Sequence, residues 1–270
     1  MRVAFSNIAW EPEDDEKVAD VLRRTGVEGI EVAPTKVWAD PAAVSPVQAR
    51  DYARSWARAG LPVVAAQSLL YGRPDLTLFG PEREEFVSYL GRVVDLCAAM
   101  GATALVFGSP RNRRRDGLPV EAADRIAVDV FDRLARRAVA AGTTICLEAN
   151  PAVYDTDYLV RAAEAAALVA AVDSPGLRLH LDSACMALAG DDPTACVNRF
   201  APLLRHTHLS EPHLRPVGDP DPRHRDFAAA LRGVGYDRHL SVEMRPAEGD
   251  RLAAVERAAR YAVALRGDRS

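Results

Sequence analysis

The chain is short of lysine, of paired cysteines and of long apolar runs. Lys17 and Lys36 are its only lysines although arginine is abundant, so Schiff-base chemistry has two candidate residues. Cys97, Cys146, Cys185 and Cys196 lie scattered without a CxxC pair, as in a reduced protein, and Cys185 and Cys196 are expected to be small buried residues. The opening "MRVAFSNIAW" carries no basic leader and leads into no membrane-length apolar stretch, so a cytoplasmic location is expected. No low-complexity segment or long linker divides the chain. The formal net charge of -4 provides no basic field for nucleic acid or an anionic membrane, so an anionic ligand would have to be held locally.

What is present is an alternation. Eight short apolar runs read as strands: 2–8, 29–33, 62–67, 104–108, 143–148, 177–182, 205–210 and 240–244. Between them lie amphipathic stretches such as "EPEDDEKVADVLRRT" and "PEREEFVSYLGRVVDLCAAMG", with proline and acids at the start. In "VEAADRIAVDVFDRLARRAVAAG" Val128, Phe131, Leu134 and Ala138 recur at helical spacing. No glycine-rich phosphate fingerprint follows the first strand, which disfavours a doubly wound sheet. The pattern predicts an α/β protein, a (β/α)₈ TIM barrel spanning residues 1–270 as a single domain.

Four of the later strands carry a metal-capable residue at or near the carboxyl end: Glu148, Asp182, His208 and Glu243. Each lies roughly one βα repeat from the next, and in a barrel all four would meet at the mouth where active sites of this fold are built. Three buried carboxylates repel one another and desolvate badly, so a divalent cation is expected among them. His206 and His180 precede His208 and Asp182 by two residues and fall one layer deeper on the same strand faces.

At these residues the sequence resembles the sugar phosphate isomerase/epimerase family of the xylose isomerase-like TIM barrels, over nearly the whole chain. The carriers are "SNIAW", "QSLLYG", "LVFGSPRNR", "CLEANP" with "YDTDYL", "LHLDSACM", "HTHLSEPHLRPVG" and "SVEMR". The resemblance to ketose 3-epimerases implies one divalent ion held by Glu148, Asp182, His208 and Glu243. It departs at Cys185, where those enzymes have a substrate-contacting histidine, and at Arg215, which matches their substrate arginine with an offset of one residue. Endonuclease IV shares the barrel, but its additional histidines are missing here.

Three oxygen-donor residues and one imidazole favour Mn²⁺, Mg²⁺ or Co²⁺, and zinc also fits. The implied chemistry is proton abstraction next to a carbonyl through a metal-bound enediolate, with Glu148 and Glu243 on opposite faces of the substrate. Return of the proton to the other face is epimerisation; return to the neighbouring carbon is aldose–ketose isomerisation. A dehydratase or lyase acting on a keto-sugar or inosose, and a non-catalytic sugar-binding barrel, are the alternatives. The expected partner is a small carbohydrate or polyol, with no nucleic acid and no membrane, and a homodimer stays open. Expected substrate contacts are Trp10, Gln67, Tyr154, Asp157, His180, Glu211 and Arg215. Arg113, with Arg111, Arg114 and Arg115 in the loop after the fourth strand, is expected to grip an anionic group. His213 and His224 are further candidates at the mouth.

Overall fold

The computed structural model describes residues 1–267. Eight parallel strands close into a barrel in sequence order: β1 (Arg2–Ser6), β2 (Gly29–Val32), β3 (Val63–Ala66), β4 (Ala104–Phe107), β5 (Ile145–Glu148), β6 (Leu177–Asp182), β7 (Leu204–Ser210) and β8 (His239–Glu243). The closing seam pairs Arg2 to Phe5 with His239 to Val242. Each expected strand is present; β1 to β5 are trimmed at one or both ends, β6 keeps the expected bounds, and β7 and β8 begin one residue earlier.

Helices surround the barrel: α1 (Asp15–Thr25), the single turn α2 (Pro34–Val37), α3 (Pro46–Arg58), α4 (Arg83–Ala99), α5 (Val120–Ala141), α6 (Ala162–Val172), α7 (Ser183–Ala189), α8 (Pro193–Phe200), α9 (Pro222–Gly233) and α10 (Arg251–Arg266). Their ends follow local chemistry. Ser45 and Gln48 form a reciprocal capping box at α3, with Pro46 in the first turn. Gly142 ends α5 at φ 75°, a left-handed conformation that glycine adopts without a Cβ clash. On α5 the inward stripe is Ala127, Val130, Phe131, Leu134 and Ala138. Val128, expected on that stripe, is only partly buried; the apolar face is centred on Phe131 and Leu134 and leaves it at the edge.

The main core lies between barrel and helices. There Phe107 on β4 meets Phe86 of α4 and Phe131 of α5 edge-on, at ring distances of 6.1 and 5.3 Å, a geometry worth about 1 kcal/mol per pair beyond burial. Inside the barrel the filling is uneven. Small apolar side chains, Ala65, Ala104, Val106 and Cys146, pack together from β3, β4 and β5. Glu31 of β2 meets His206 and His208 of β7; these strands are not neighbours, so the contact crosses the barrel interior. All four cysteines are buried. No helix among the described residues is long and apolar enough to cross a membrane.

Candidate metal centre

The strand ends β5 to β8 converge on a cavity of about 400 Å³ whose lining includes Glu148, Asp182 and Glu243. Register sets their levels: Glu148 lies beside His180, Asp182 beside His208, and Ser210 beside Glu243. Two of the acids are held from behind. Asp182 Oδ1 accepts the Cys185 backbone N–H at 2.6 Å, capping α7, and Oδ2 accepts the Ser210 hydroxyl at 2.6 Å. Glu148 Oε1 lies 3.6 Å from the Cys185 thiol. Its Oε2 occupies space that only a glycine leaves open, since a Cβ on Gly108 would come within 2.3 Å of it.

His208 is buried and makes contacts on both ring nitrogens. Nε2 lies 2.9 Å from Glu31 Oε2. Nδ1 faces Glu243 Oε2 at 3.3 Å and Asp182 Oδ2 at 3.8 Å, yet has no well-formed hydrogen bond among the described residues. Burial, then the charges of Asp182 and Glu243, push the Glu148 carboxyl up to about 8. Burial also raises Glu243, against the pull of His208. Burial would lower His208, but Glu31 and Glu243 outweigh it and raise the imidazole well above its ordinary range. Glu31 shows the converse: burial would raise it, and His208 and His206 hold it well below the usual carboxylate range.

These groups fit a divalent cation. An imidazole nitrogen without a good partner faces Glu243, and burial and neighbouring charge raise the carboxyls of Glu243 and Glu148 toward protonation; a cation would relieve both strains. Glu148, His180, Asp182 and His208 each present a ligand atom within 4.8 Å of the others, and Glu243 adds its oxygen beside His208 Nδ1.

Residues 19–265 match the xylose isomerase-like TIM barrel family. The chain belongs to that family. A ketose 3-epimerase from Arthrobacter globiformis is 28% identical over 157 residues, spanning 57% of this chain and 53% of that protein; the match thus covers about half the length of that relative. The crystal structure of a D-psicose 3-epimerase in the presence of D-fructose superposes with a TM-score of 0.80 at 20% identity, covering 99% of this chain and 100% of that one. The structure of a 3-keto-D-glucoside 4-epimerase from E. coli gives 0.79 at 18%, covering 98% and 99%. At these identities the two structural likenesses show the shared fold.

Within this xylose isomerase-like barrel the expected substrate contacts divide. Gln67, Tyr154 and His213 line the cavity with the three acids. Trp10 does not: it is buried against Phe5 and Trp56 and donates its indole N–H to Asp15 at 2.7 Å. His180 is 1% exposed and lies beneath the cavity against the His208 ring at 4.2 Å. Asp157 turns to a separate cavity between α5 and α6, where it accepts the Arg115 backbone N–H at 2.7 Å. Glu211 faces Arg215, Arg223 and His224, each at 3.9 Å, and neither Glu211 nor Arg215 lines the cavity. His224 is buried against the Ser210 carbonyl.

The arginine loop requires the largest correction. Arg113 does not meet substrate, because it is fully buried and bonded to the protein's own backbone. Its Nη1 donates to the carbonyls of Gly108 and Glu148, both at 2.7 Å; its Nη2 donates to Asn150 Oδ1 at 3.0 Å and the Leu159 carbonyl at 3.3 Å. Burial lowers its pKa to about 10, against the pull of Glu148, so it stays charged at neutral pH. Arg111 and Arg114 pair with Asp155, and Arg115 with Asp157. Sequence reasoning missed Glu31, Gly108, Asn150 and Arg245. An acid interrupting the apolar "GIEVA" was a signal for Glu31 of the same kind as that for Glu148; a lone arginine after a strand offered none for Arg245.

Proposed function

We propose that this barrel is a divalent-metal-dependent sugar isomerase or epimerase. The observation that carries the reading is the convergence of Glu148, Asp182 and Glu243 with an under-bonded His208 Nδ1 at a cavity of sugar-sized volume. Similarity to a ketose 3-epimerase supports the same reaction class. Glu148, Asp182, His208 and Glu243 would hold the ion, and the donor set suits Mn²⁺, Mg²⁺ or Co²⁺, with zinc also admissible. When bound, the ion supplies Lewis-acid polarisation of a substrate carbonyl and its neighbouring hydroxyl.

The chain's own residues do the rest. Glu148 and Glu243 stand on strands separated by β6 and β7, so a substrate seated between them presents opposite faces to the two carboxylates. One takes the proton from the carbon next to the carbonyl onto an Oε atom, and the other returns a proton to the far face. Asp182 is committed by Cys185 N–H and Ser210 to a fixed orientation and serves to position the cation. Glu31 accepts from His208 Nε2 and so turns the Nδ1 lone pair toward the cavity. Gln67, Tyr154 and Asn150 provide hydrogen-bonding groups for substrate hydroxyls.

The test is a panel of ketoses and aldoses with Mn²⁺ in deuterated water, read for deuterium uptake and product mass. Uptake without mass loss supports isomerase or epimerase action. Loss of water reassigns the protein to a dehydratase, and absence of both with the metal bound leaves a sugar-binding barrel.

A further inference from the structure

Arg245, two residues beyond Glu243, is the one always-cationic side chain in the cavity lining among the described residues. It is exposed at the mouth, and its guanidinium makes no hydrogen bond or ion pair among the described residues. Its neighbours at the mouth differ: Arg111 and Arg114 are held by Asp155, Arg115 by Asp157, and Arg223 by Asp221. The backbone of Arg245 is fixed, since its N–H donates to the Leu214 carbonyl at 2.8 Å. Leu214 and His213 reach that position with left-handed φ values of 56° and 62°, a conformation costly for residues other than glycine. His213 is pinned in turn, its N–H donating to the Tyr154 hydroxyl at 3.0 Å and its ring meeting the Tyr154 ring edge-on at 6.0 Å. A strained loop therefore brings an imidazole, a phenol and a free guanidinium to one cavity wall.

A neutral polyol has no need of an unpaired guanidinium, whereas carboxylate and phosphate oxygens match its fork of N–H donors. We propose that the substrate is an acidic sugar, carrying a carboxylate or phosphate at the end remote from its reacting carbonyl, and that Arg245 receives that group beside His213 and Tyr154. The inference rests on the reading of this cavity as a sugar isomerase or epimerase site.

Calorimetric titration of the Mn²⁺-loaded protein with D-fructose, D-fructose 6-phosphate and D-fructuronate tests it. At least one of the two acids should bind about tenfold or more tighter than fructose, the weight of one charge-assisted bidentate contact. Which acid shows the gain separates phosphate from carboxylate. Arg245→Met should erase most of that preference, and Arg245→Lys should keep part of it. Equal binding of all three sugars, binding of none, or a preference that survives Arg245→Met would overturn the proposal. Deuterium uptake into the bound sugar is scored separately. An acid that binds through Arg245 without exchange would sink the isomerase reading alone, so the two failures are distinguishable.

Discussion

The two halves of the barrel end differently. Strands β5, β6 and β8 finish in Glu148, Asp182 and Glu243, and β7 carries His208 just before its end; strands β1 to β4 finish in Ser6, Val32, Ala66 and Phe107. Yet the first half is not inert. It supplies Glu31 behind His208, Gly108 as the gap that admits Glu148, and Arg113 as the bracket under the Glu148 backbone. One half holds the reactive groups and the other holds them in place, so substitutions in the two halves should fail in different ways.

The largest effect is expected in the second half. Glu148→Gln and Glu243→Gln each keep an oxygen donor but lose the proton acceptor, and turnover should fall by about 10² to 10⁴ with the thermal midpoint little changed. In an epimerase each variant should still exchange the C–H facing the surviving carboxylate, measured from each epimer in deuterated water. Two variants that turn over normally with metal bound would reduce these acids to ligands. Arg113→Ala should break the first half instead. It takes the guanidinium from the Gly108 and Glu148 carbonyls and from Asn150 Oδ1 in a buried site, while the Leu159 carbonyl keeps the Asn150 backbone N–H, at a cost of about 3 kcal/mol. Calorimetric unfolding should show a Tm lower by about 5–10 °C; an unchanged Tm would show that the first half does not depend on the bonds of Arg113.

Much of the architecture was legible in the sequence, because apolar runs separated by amphipathic stretches are what a barrel demands of each βα repeat. The acids of β5, β6 and β8 stood out because burial makes a lone carboxylate expensive without a partner. Arg113 was misread for the opposite reason. A run such as "RNRRRDG" looks solvated, and nothing in its composition tells which guanidinium folds back to bond carbonyls that loop geometry leaves bare. Trp10 and Asp157 were misplaced because proximity in sequence to a strand end does not settle which way a side chain turns. Arg245 gained meaning only once the partners of the other arginines were known.

Glu31 joins the halves, and a smaller effect sharpens the comparison there. Glu31→Gln can no longer fix the His208 ring by a charged acceptor, and Mn²⁺ affinity should drop by about 10- to 100-fold, read by titration calorimetry. Unaltered affinity would show that β7 orients His208 unaided. The smallest effect is a dependence on pH. In the metal-free protein the Glu148 carboxyl is raised from 4.5 to about 8 by burial, Asp182 and Glu243. Its contribution to stability is therefore fully present below about 4.5 and lost as the pH rises through about 8. Cation binding prefers the ionised form, so Mn²⁺ should raise Tm more at pH 8 than at pH 6. A larger increment at pH 6 would contradict this account of the site.

The buried cysteines have a practical consequence. Burial raises the thiols of Cys97 and Cys185 far above their ordinary range, and those of Cys146 and Cys196 to about 12 and about 11. Thiolate is the form that alkylating agents and peroxide attack, so the folded chain should withstand both without a reducing buffer. Each cysteine then becomes a clock for opening of its own neighbourhood. Cys97 on α4, Cys146 within the barrel, Cys185 beside Glu148 and Cys196 on α8 would be carbamidomethylated only as those regions transiently unfold. Peptide mass spectrometry of a timed iodoacetamide reaction would thus order the regions by how often they breathe.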